Sequence, residues 1–324
     1  MLSFSESPRA LALIKQDNNN KNNRNLDIVY YHDQKSQDLK PRVNRTDYLN
    51  YEDFKNPNNR YDLSKYAMSR LPRDIERGRV NPNNYYDDEE DVYEYKNTFD
   101  RINNNIEDRI NKSIKINSGT FQMLPRCEKN QRECVLVSGP SGSGKSTWAS
   151  CYIEMYHQIF PKNRIIIISK KTDEPEFDKL KYVKFINIDE EWLEGEALDT
   201  DDFEDSLVLF DDIENVHPKP LRDEVYRLKD LLIETGRSKN IYIILCNHLS
   251  MNGHETKKDL NESDTVVIFP SNSSHYHLDR LLRVYCGIDK KQVEYILKAP
   301  SRWCVIKKHV PRYCITENEI FLLQ

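Results

Sequence analysis

A chain of 324 residues with 38% hydrophobic and 31% charged residues and a mean hydropathy of -0.80 is too polar to be packed throughout as one core. Its formal net charge of -5 offers no global attraction for nucleic acid, so any such contact must come from local patches or from one loop presented many times by a ring of subunits. No apolar run nears the roughly 18–20 residues that cross a bilayer, and Met1 to Arg9 lacks the charged and apolar regions of a signal peptide; a cytoplasmic protein with no membrane partner is expected.

Residues 1–112 are dominated by Asn, Asp, Tyr, Lys and Arg, with Asn18-Asn19-Asn20-Lys21-Asn22-Asn23-Arg24-Asn25 as the most biased point. Such a stretch reads as a low-complexity, mostly disordered N-terminal arm. Within it, Leu63 to Ile75 is expected as a short helix, and so is Asn97 to Ile114, with Phe99, Ile102, Ile106 and Ile110 at helical spacing. Over 113–324 short apolar runs alternate with helical patterns, which predicts an α/β fold with a mostly parallel central sheet flanked by helices. The expected strands are Phe121 to Leu124, Cys134 to Ser138, Arg164 to Ser169, Val183 to Ile188, Leu207 to Phe210, Ile241 to Cys246, Thr265 to Phe269 and Trp303 to Lys307. Helical periodicity marks Lys145 to Ile159, Leu221 to Glu234, His275 to Cys286 and Lys290 to Lys298. Seven cysteines without any C-x-x-C pair read as reduced, packed thiols.

The first expected strand of the sheet core, ending at Ser138, leads into Gly139-Pro140-Ser141-Gly142-Ser143-Gly144-Lys145-Ser146-Thr147. The spacing of Gly139, Gly144, Lys145 and Ser146 is that of a Walker A loop, placed between a strand and a helix as the motif requires. Each residue type answers a need of a polyanion. Gly139, Gly142 and Gly144 are expected to curl the backbone with positive φ, so that successive N–H groups converge on phosphate oxygens. Lys145 supplies a point charge to the β and γ phosphates, Ser146 offers a hydroxyl to a magnesium ion, and the positive end of the following helix adds its dipole. Gly139 through Thr147 are therefore the candidate nucleotide-binding residues of a P-loop NTPase, with ATP and Mg2+ as the expected ligands, although nothing in the loop separates ATP from GTP. A Gly/Ser-rich loop matching by chance is the competing reading.

Ser206-Leu207-Val208-Leu209-Phe210-Asp211-Asp212-Ile213-Glu214 is an apolar run ending in paired carboxylates, the pattern of a Walker B strand. Asp211 is expected to hold magnesium and Asp212 to activate the attacking water, with Glu214 in reserve; solvated carboxylates at a strand end are the alternative. Two expected strands between the Walker motifs match the ATPase branch of P-loop proteins that carries an extra strand. In that branch a polar residue ends the strand after Walker B, which makes Asn247 the candidate γ-phosphate sensor, with His248 or a plain strand-end turn as alternatives. Arg237 precedes that strand, at a place from which it could reach a neighbouring subunit's nucleotide as an arginine finger. The alternative is a helix C-terminal cation favoured by the dipole.

With Walker A at Gly139 to Thr147, Walker B at Leu207 to Asp212, Gly236-Arg237 before a strand and Asn247 after it, the chain from about Phe121 onward resembles the FtsK–HerA superfamily. Within it, the poxvirus-type genome-packaging ATPases of large DNA viruses are the most similar. The resemblance implies an ATP-hydrolysing ring motor that moves double-stranded DNA through a central channel to fill a capsid. The partners it implies are double-stranded DNA, further copies of the chain in a homo-oligomeric ring, and a capsid or replication partner held by the N-terminal arm, in a host cytoplasm or a virion. One departure is plain: the family's sensor is commonly Gln, and Asn247 is shorter by one methylene. The segment His248 to Lys258 is read either as a loop facing the channel, with Lys257 and Lys258 on phosphates, or as a solvated surface loop. Arg302 is either structural or a second nucleotide contact, beside Trp303 as a core anchor. Two other readings stand behind the motor. A P-loop kinase would use Asp211 or Asp212 to activate a hydroxyl acceptor, but no Arg-rich lid follows the sensor strand; a nucleotide-gated scaffold would hydrolyse poorly, which the paired carboxylates argue against.

Overall fold

The computed structural model describes residues 1–4, 6–15, 27–32, 112–127, 131–171, 174–248 and 254–323, with backbone alone at 254–256. The chain divides into two compact units, one of Met1 with 33–114 and one of 2–32 with 115–324. Of the first, only Met1 and residues 112–114 are described. The expected helix from Leu63 to Ile75 lies outside the described residues, as does Asn97 to Ile114 except for Lys112, which is helical, and Ser113 and Ile114, which begin a strand.

Four short strands come first in the described chain: β1 (Leu2–Ser3), β2 (Arg9–Lys15), β3 (Ile28–Tyr31) and β4 (Ser113–Lys115), the last straddling the division between units. The first three lie within the stretch expected as an arm. They pair antiparallel in the order β1-β3-β2-β5 with β5 (Thr120–Met123). The run Leu11-Ala12-Leu13-Ile14 is apolar enough to be buried, and Ala12, Val29, Phe121 and Met123 are fully excluded from solvent.

The large sheet carries the site. β6 (Cys134–Ser138), β7 (Arg164–Ser169), β8 (Val183–Asn187), β9 (Ser206–Asp211), β10 (Ile241–Asn247) and β11 (Thr265–Ile268) are parallel. β12 (Cys304–Lys307), β13 (Tyr313–Ile315) and β14 (Glu319–Leu322) continue antiparallel from β11. The strands that lie wholly in the second unit run in the order β14-β13-β12-β11-β6-β10-β9-β7-β8. Every residue of β6, β9 and β10 is buried, the state that their continuous apolar runs call for when helices cover both faces of a parallel sheet. β8 closes the edge and leaves Phe185 41% exposed.

The helices are α1 (Lys145–Ile159), α2 (Pro175–Asp178), α3 (Lys219–Thr235), α4 (His254–Glu262), α5 (His275–Val284) and α6 (Lys290–Leu297). α3 buries Leu221, Val225, Leu228, Leu232 and Ile233, the three-and-four spacing of an amphipathic helix. The fold is thus the expected α/β one, a mostly parallel sheet with helices packed on it. Among the described residues no helix is long and apolar enough to cross a membrane.

One feature of the order matters most for the site. β10 follows β9 in sequence but lies between β6 and β9, while β7 sits on the far side of β9. Ser138 is therefore in register with Asn247, and Cys246 with Asp211. The ends of three different strands meet at the carboxyl edge, where parallel sheets place their ligands.

Candidate functional site

The loop between β6 and α1 is built by two different demands on glycine. Gly144 caps α1 at φ 107, a left-handed conformation that L side chains rarely adopt, and contributes no side-chain cap. The first-turn N–H groups of α1 are consequently not satisfied by a capping side chain and suit an anion. Gly139 was expected to need positive φ as well; it does not. A Cβ there would stand 2.8 Å from the Phe269 ring and 2.8 Å from Ser143 Oγ, so close approach is what excludes a side chain. Lys145, 8% exposed, donates from Nζ to the Gly139 carbonyl at 2.9 Å and to that of Pro140 at 3.3 Å, which holds its charge on the loop. Ser141, Gly142 and Thr147 are exposed on its outer side.

Asp211 ends β9 and is 2% exposed. Burial first, then the Asp212 charge, push its carboxyl up from 3.8 to about 6, with Lys171 and Lys145 pulling the other way. Its Oδ2 is buried with no hydrogen-bond partner among the described residues. An unpartnered buried carboxylate oxygen is a suitable donor for a hard divalent cation, and so is the hydroxyl of Ser146, the second residue of α1. Among the described residues no cluster of three His, Cys, Asp or Glu could hold a metal alone, so a cation here would need ligand oxygens as well.

Asp212, at φ 51, has a lysine and a histidine beside its carboxylate. Lys171, two residues beyond β7, forms an ion pair with it, and His248 Nε2 lies 3.2 Å from Oδ1. The Asp212 carboxylate raises the Lys171 ammonium above its ordinary value. Glu214 lies beside them, its carboxyl raised by burial and opposed by the His248 backbone N–H.

Asn247, 4% exposed, donates from Nδ2 to Asp259 Oδ2 at 2.9 Å, and Asp259 Oδ1 accepts from Lys229 at 2.6 Å. One amide hydrogen is therefore committed to α4, and Oδ1 has no partner among the described residues. Arg237 does not join this cluster within one chain. It is exposed in the turn before β10, at the amino end of a seven-residue strand whose carboxyl end is Asn247, a separation on the order of 20 Å. Of the segment read as a channel loop, 249–253 lie outside the described residues. Lys258 is paired with Asp230 and Glu234 of α3, each at 2.7 Å, so it is committed to a helix and not offered to phosphates.

No family model matches the chain. A protein of the Sputnik virophage, described as the uncharacterised protein V3, is 37% identical over 214 residues, which span 65% of this chain and 84% of V3. The chain belongs to the V3 family. Its chain path is also similar to that of the genome-packaging NTPase B204 from Sulfolobus turreted icosahedral virus 2 in complex with sulfate (14% identity, 59% of this chain, 96% of B204, TM-score 0.40). A further similarity is to the cytoplasmic domain of the type VII secretion ATPase EccC of Thermomonospora curvata (13% identity, 64% of this chain, 28% of that one, TM-score 0.40). It is the strand order and the loop, independent of these similarities, that give the V3-family chain its P-loop NTPase fold.

Lys171 is the site residue that sequence reasoning missed. Its one signal was position, just past the carboxyl end of a parallel strand, but a lysine after an apolar run usually marks solvent. Asp211 also makes the V3-family protein's stability depend on pH in a definite direction. Its folded pKa is raised, so the stability it contributes is whole below about pH 4 and is lost as pH rises through about 6. Asp211→Asn should therefore stabilise the ligand-free protein by on the order of 2–3 kcal/mol at pH 8 and by almost nothing near pH 4. The variant-minus-wild-type difference in denaturation free energy across pH measures this, and a difference that is flat with pH would contradict it.

Proposed function

We propose that this V3-family protein is an ATP-hydrolysing motor of the FtsK–HerA type that translocates double-stranded DNA, as in packaging of a viral genome. The observation that carries the reading is the placement of β10 between β6 and β9, which brings the Gly139–Thr147 loop, Asp211, Asp212 and Asn247 to one sheet edge. Loop N–H groups and Lys145 hold the β and γ phosphates. A magnesium ion bound with the triphosphate would neutralise phosphate charge, and Ser146 and Asp211 are the residues that would hold it. Asp212 takes the proton of the attacking water, with Glu214 as the reserve base, and Asn247 contacts the γ phosphate through its remaining amide hydrogen.

Arg237 supports the ring. Exposed at the amino end of β10, it is too far from its own loop to act there and is free to enter the site of an adjacent copy. The virophage relative supports a viral setting, in the host cytoplasm or the virion. One observation favours the scaffold reading instead: Asp212, the proposed base, is paired with Lys171, which would slow hydrolysis if the pairing persists with nucleotide.

Steady-state ATP hydrolysis with and without double-stranded DNA tests the proposal, run beside Arg237→Ala across protein concentration. The motor predicts hydrolysis that rises with DNA and falls by at least about 100-fold in Arg237→Ala once the protein assembles. Slow hydrolysis indifferent to both DNA and Arg237 would replace the motor with the scaffold.

A further inference from the structure

A cavity of about 250 Å³ shares one wall with the phosphate loop. That wall is Ser143, Gly144 and Thr147; the cavity then runs along the first turns of α1 past Trp148 and Cys151 to β5 on one side and to Phe269 and the Arg302-Trp303 turn on the other. A nucleotide whose phosphates lie on the loop must place its base and ribose on a flank of it, and this cavity opens on such a flank.

The lining suits a flat heteroaromatic group with polar edges. Trp148, Phe269 and Trp303 offer ring surfaces, and Gln122, Arg302 and Glu317 offer an amide, a guanidinium and a carboxylate. Arg302 stands close to the loop itself, with Nη2 4.0 Å from where a Cβ on Gly144 would be, and Glu317 Oε2 accepts its backbone N–H at 2.8 Å, which fixes the turn. Two lining groups lack what burial demands. Trp148 and Ser143 are each 4% exposed, and neither the indole Nε1–H nor the Ser143 Oγ has a hydrogen-bond partner among the described residues. A buried donor left unmade is costly, and natural structures rarely keep one without a ligand or water to meet it. The Trp148 ring is not loose: it stacks on the fully buried Tyr152 with centroids 5.6 Å apart.

We propose that this cavity receives the base and ribose of the bound nucleoside triphosphate, with the Trp148 Nε1–H donating to an acceptor on the nucleoside. The assignment rests on the nucleotide-binding reading of the loop and deepens it. It gives Arg302 a place in the nucleotide site and gives the small N-terminal sheet a use, since Lys15 of β2 and Gln122 of β5 close the far wall.

The test compares ATP with inorganic tripolyphosphate, each with magnesium, on the full chain. Trp148 and Trp303 line the cavity and the remaining tryptophan, Trp192, does not, so intrinsic fluorescence reports on the cavity without any substitution. ATP should change the emission while saturating tripolyphosphate leaves it near the ligand-free value, and calorimetry should find ATP bound about tenfold or more tightly. Trp148→Phe keeps a ring and removes the N–H; it should weaken ATP by about three- to tenfold with tripolyphosphate unchanged. Equal affinities with equal fluorescence responses would overturn the assignment, as would a Trp148→Phe variant that weakens both ligands alike. Binding of neither ligand would be a different result, removing the nucleotide reading of the loop and this assignment with it.

Discussion

Replacing Lys145 with alanine is expected to weaken binding of a non-hydrolysable ATP analogue by about 100-fold or more and to reduce hydrolysis below detection. The ammonium is buried on the loop and held at 2.9 and 3.3 Å by the Gly139 and Pro140 carbonyls, so it stands where a phosphate group replaces those carbonyls as its partner. Charge-assisted hydrogen bonds contribute about 1.5–3 kcal/mol each, and two of them account for a change of that size. The fold should survive, because α1 is anchored by Trp148, Tyr152 and Tyr156 in the core, whereas the ammonium is bonded to loop carbonyls. Calorimetry and a denaturation curve on the same sample separate the two effects. A loss of less than tenfold in affinity with an intact fold would mean that phosphates do not sit on this loop.

Lys229→Ala should cost about 3–5 kcal/mol of stability, roughly 10 °C in midpoint for a unit of this size. Lys229 is fully buried, with Nζ 2.6 Å from Asp259 Oδ1, 3.3 Å from Asp230 Oδ1 and 4.8 Å from the Tyr226 ring centroid. Asp259 is 2% exposed, and burial already holds its carboxyl above the ordinary range even with Lys229 beside it. Removing the ammonium strands that carboxylate with the Asn247 amide as its remaining side-chain donor among the described residues. A second substitution distinguishes a stranded charge from lost packing: adding Asp259→Asn to Lys229→Ala should recover most of the loss, because a neutral amide costs far less to bury than an unpaired carboxylate. A loss under about 1 kcal/mol in chemical denaturation, or no recovery in the double variant, would show that the pair does not carry this energy. The proposed sensor is tied to the same pair, so Asn247 should lose its fixed orientation with it.

Much of the sheet was legible locally. Cys134–Ser138, Arg164–Ser169 and the helix Lys145–Ile159 were expected with the bounds they have, because long apolar runs and helical periodicity are properties of neighbouring residues. β13 and β14 were not expected. Each has only three or four residues, too few for alternation to show, and β14 includes the charged Glu319, 8% exposed, whose Oε2 accepts from Tyr295 at 2.7 Å. β2 was passed over because a short apolar run was embedded in a stretch whose composition is polar, and β5, the strand that covers it, lies about a hundred residues on. α4 was missed for lack of an apolar stripe.

What this sequence determined by itself is the chemistry of its local runs: a strand, a glycine-capped loop with Lys145 and Ser146, and an apolar strand ending in Asp211 and Asp212. Phosphate-loop geometry depends on backbone conformations that glycines permit, and spacing marked those of Gly142 and Gly144, whereas the close approach that Gly139 serves depends on Phe269, far along the chain. Only the tertiary structure decided which distant groups meet. It set Lys171 and His248 on Asp212, Asp259 between Asn247 and Lys229, and Lys307 on Glu133 across 174 residues of chain. It also put Arg237 at the edge opposite the loop. Charges in a fold take partners according to strand order and crossover, and an ion pair between residues far apart in sequence leaves no periodic mark along the chain.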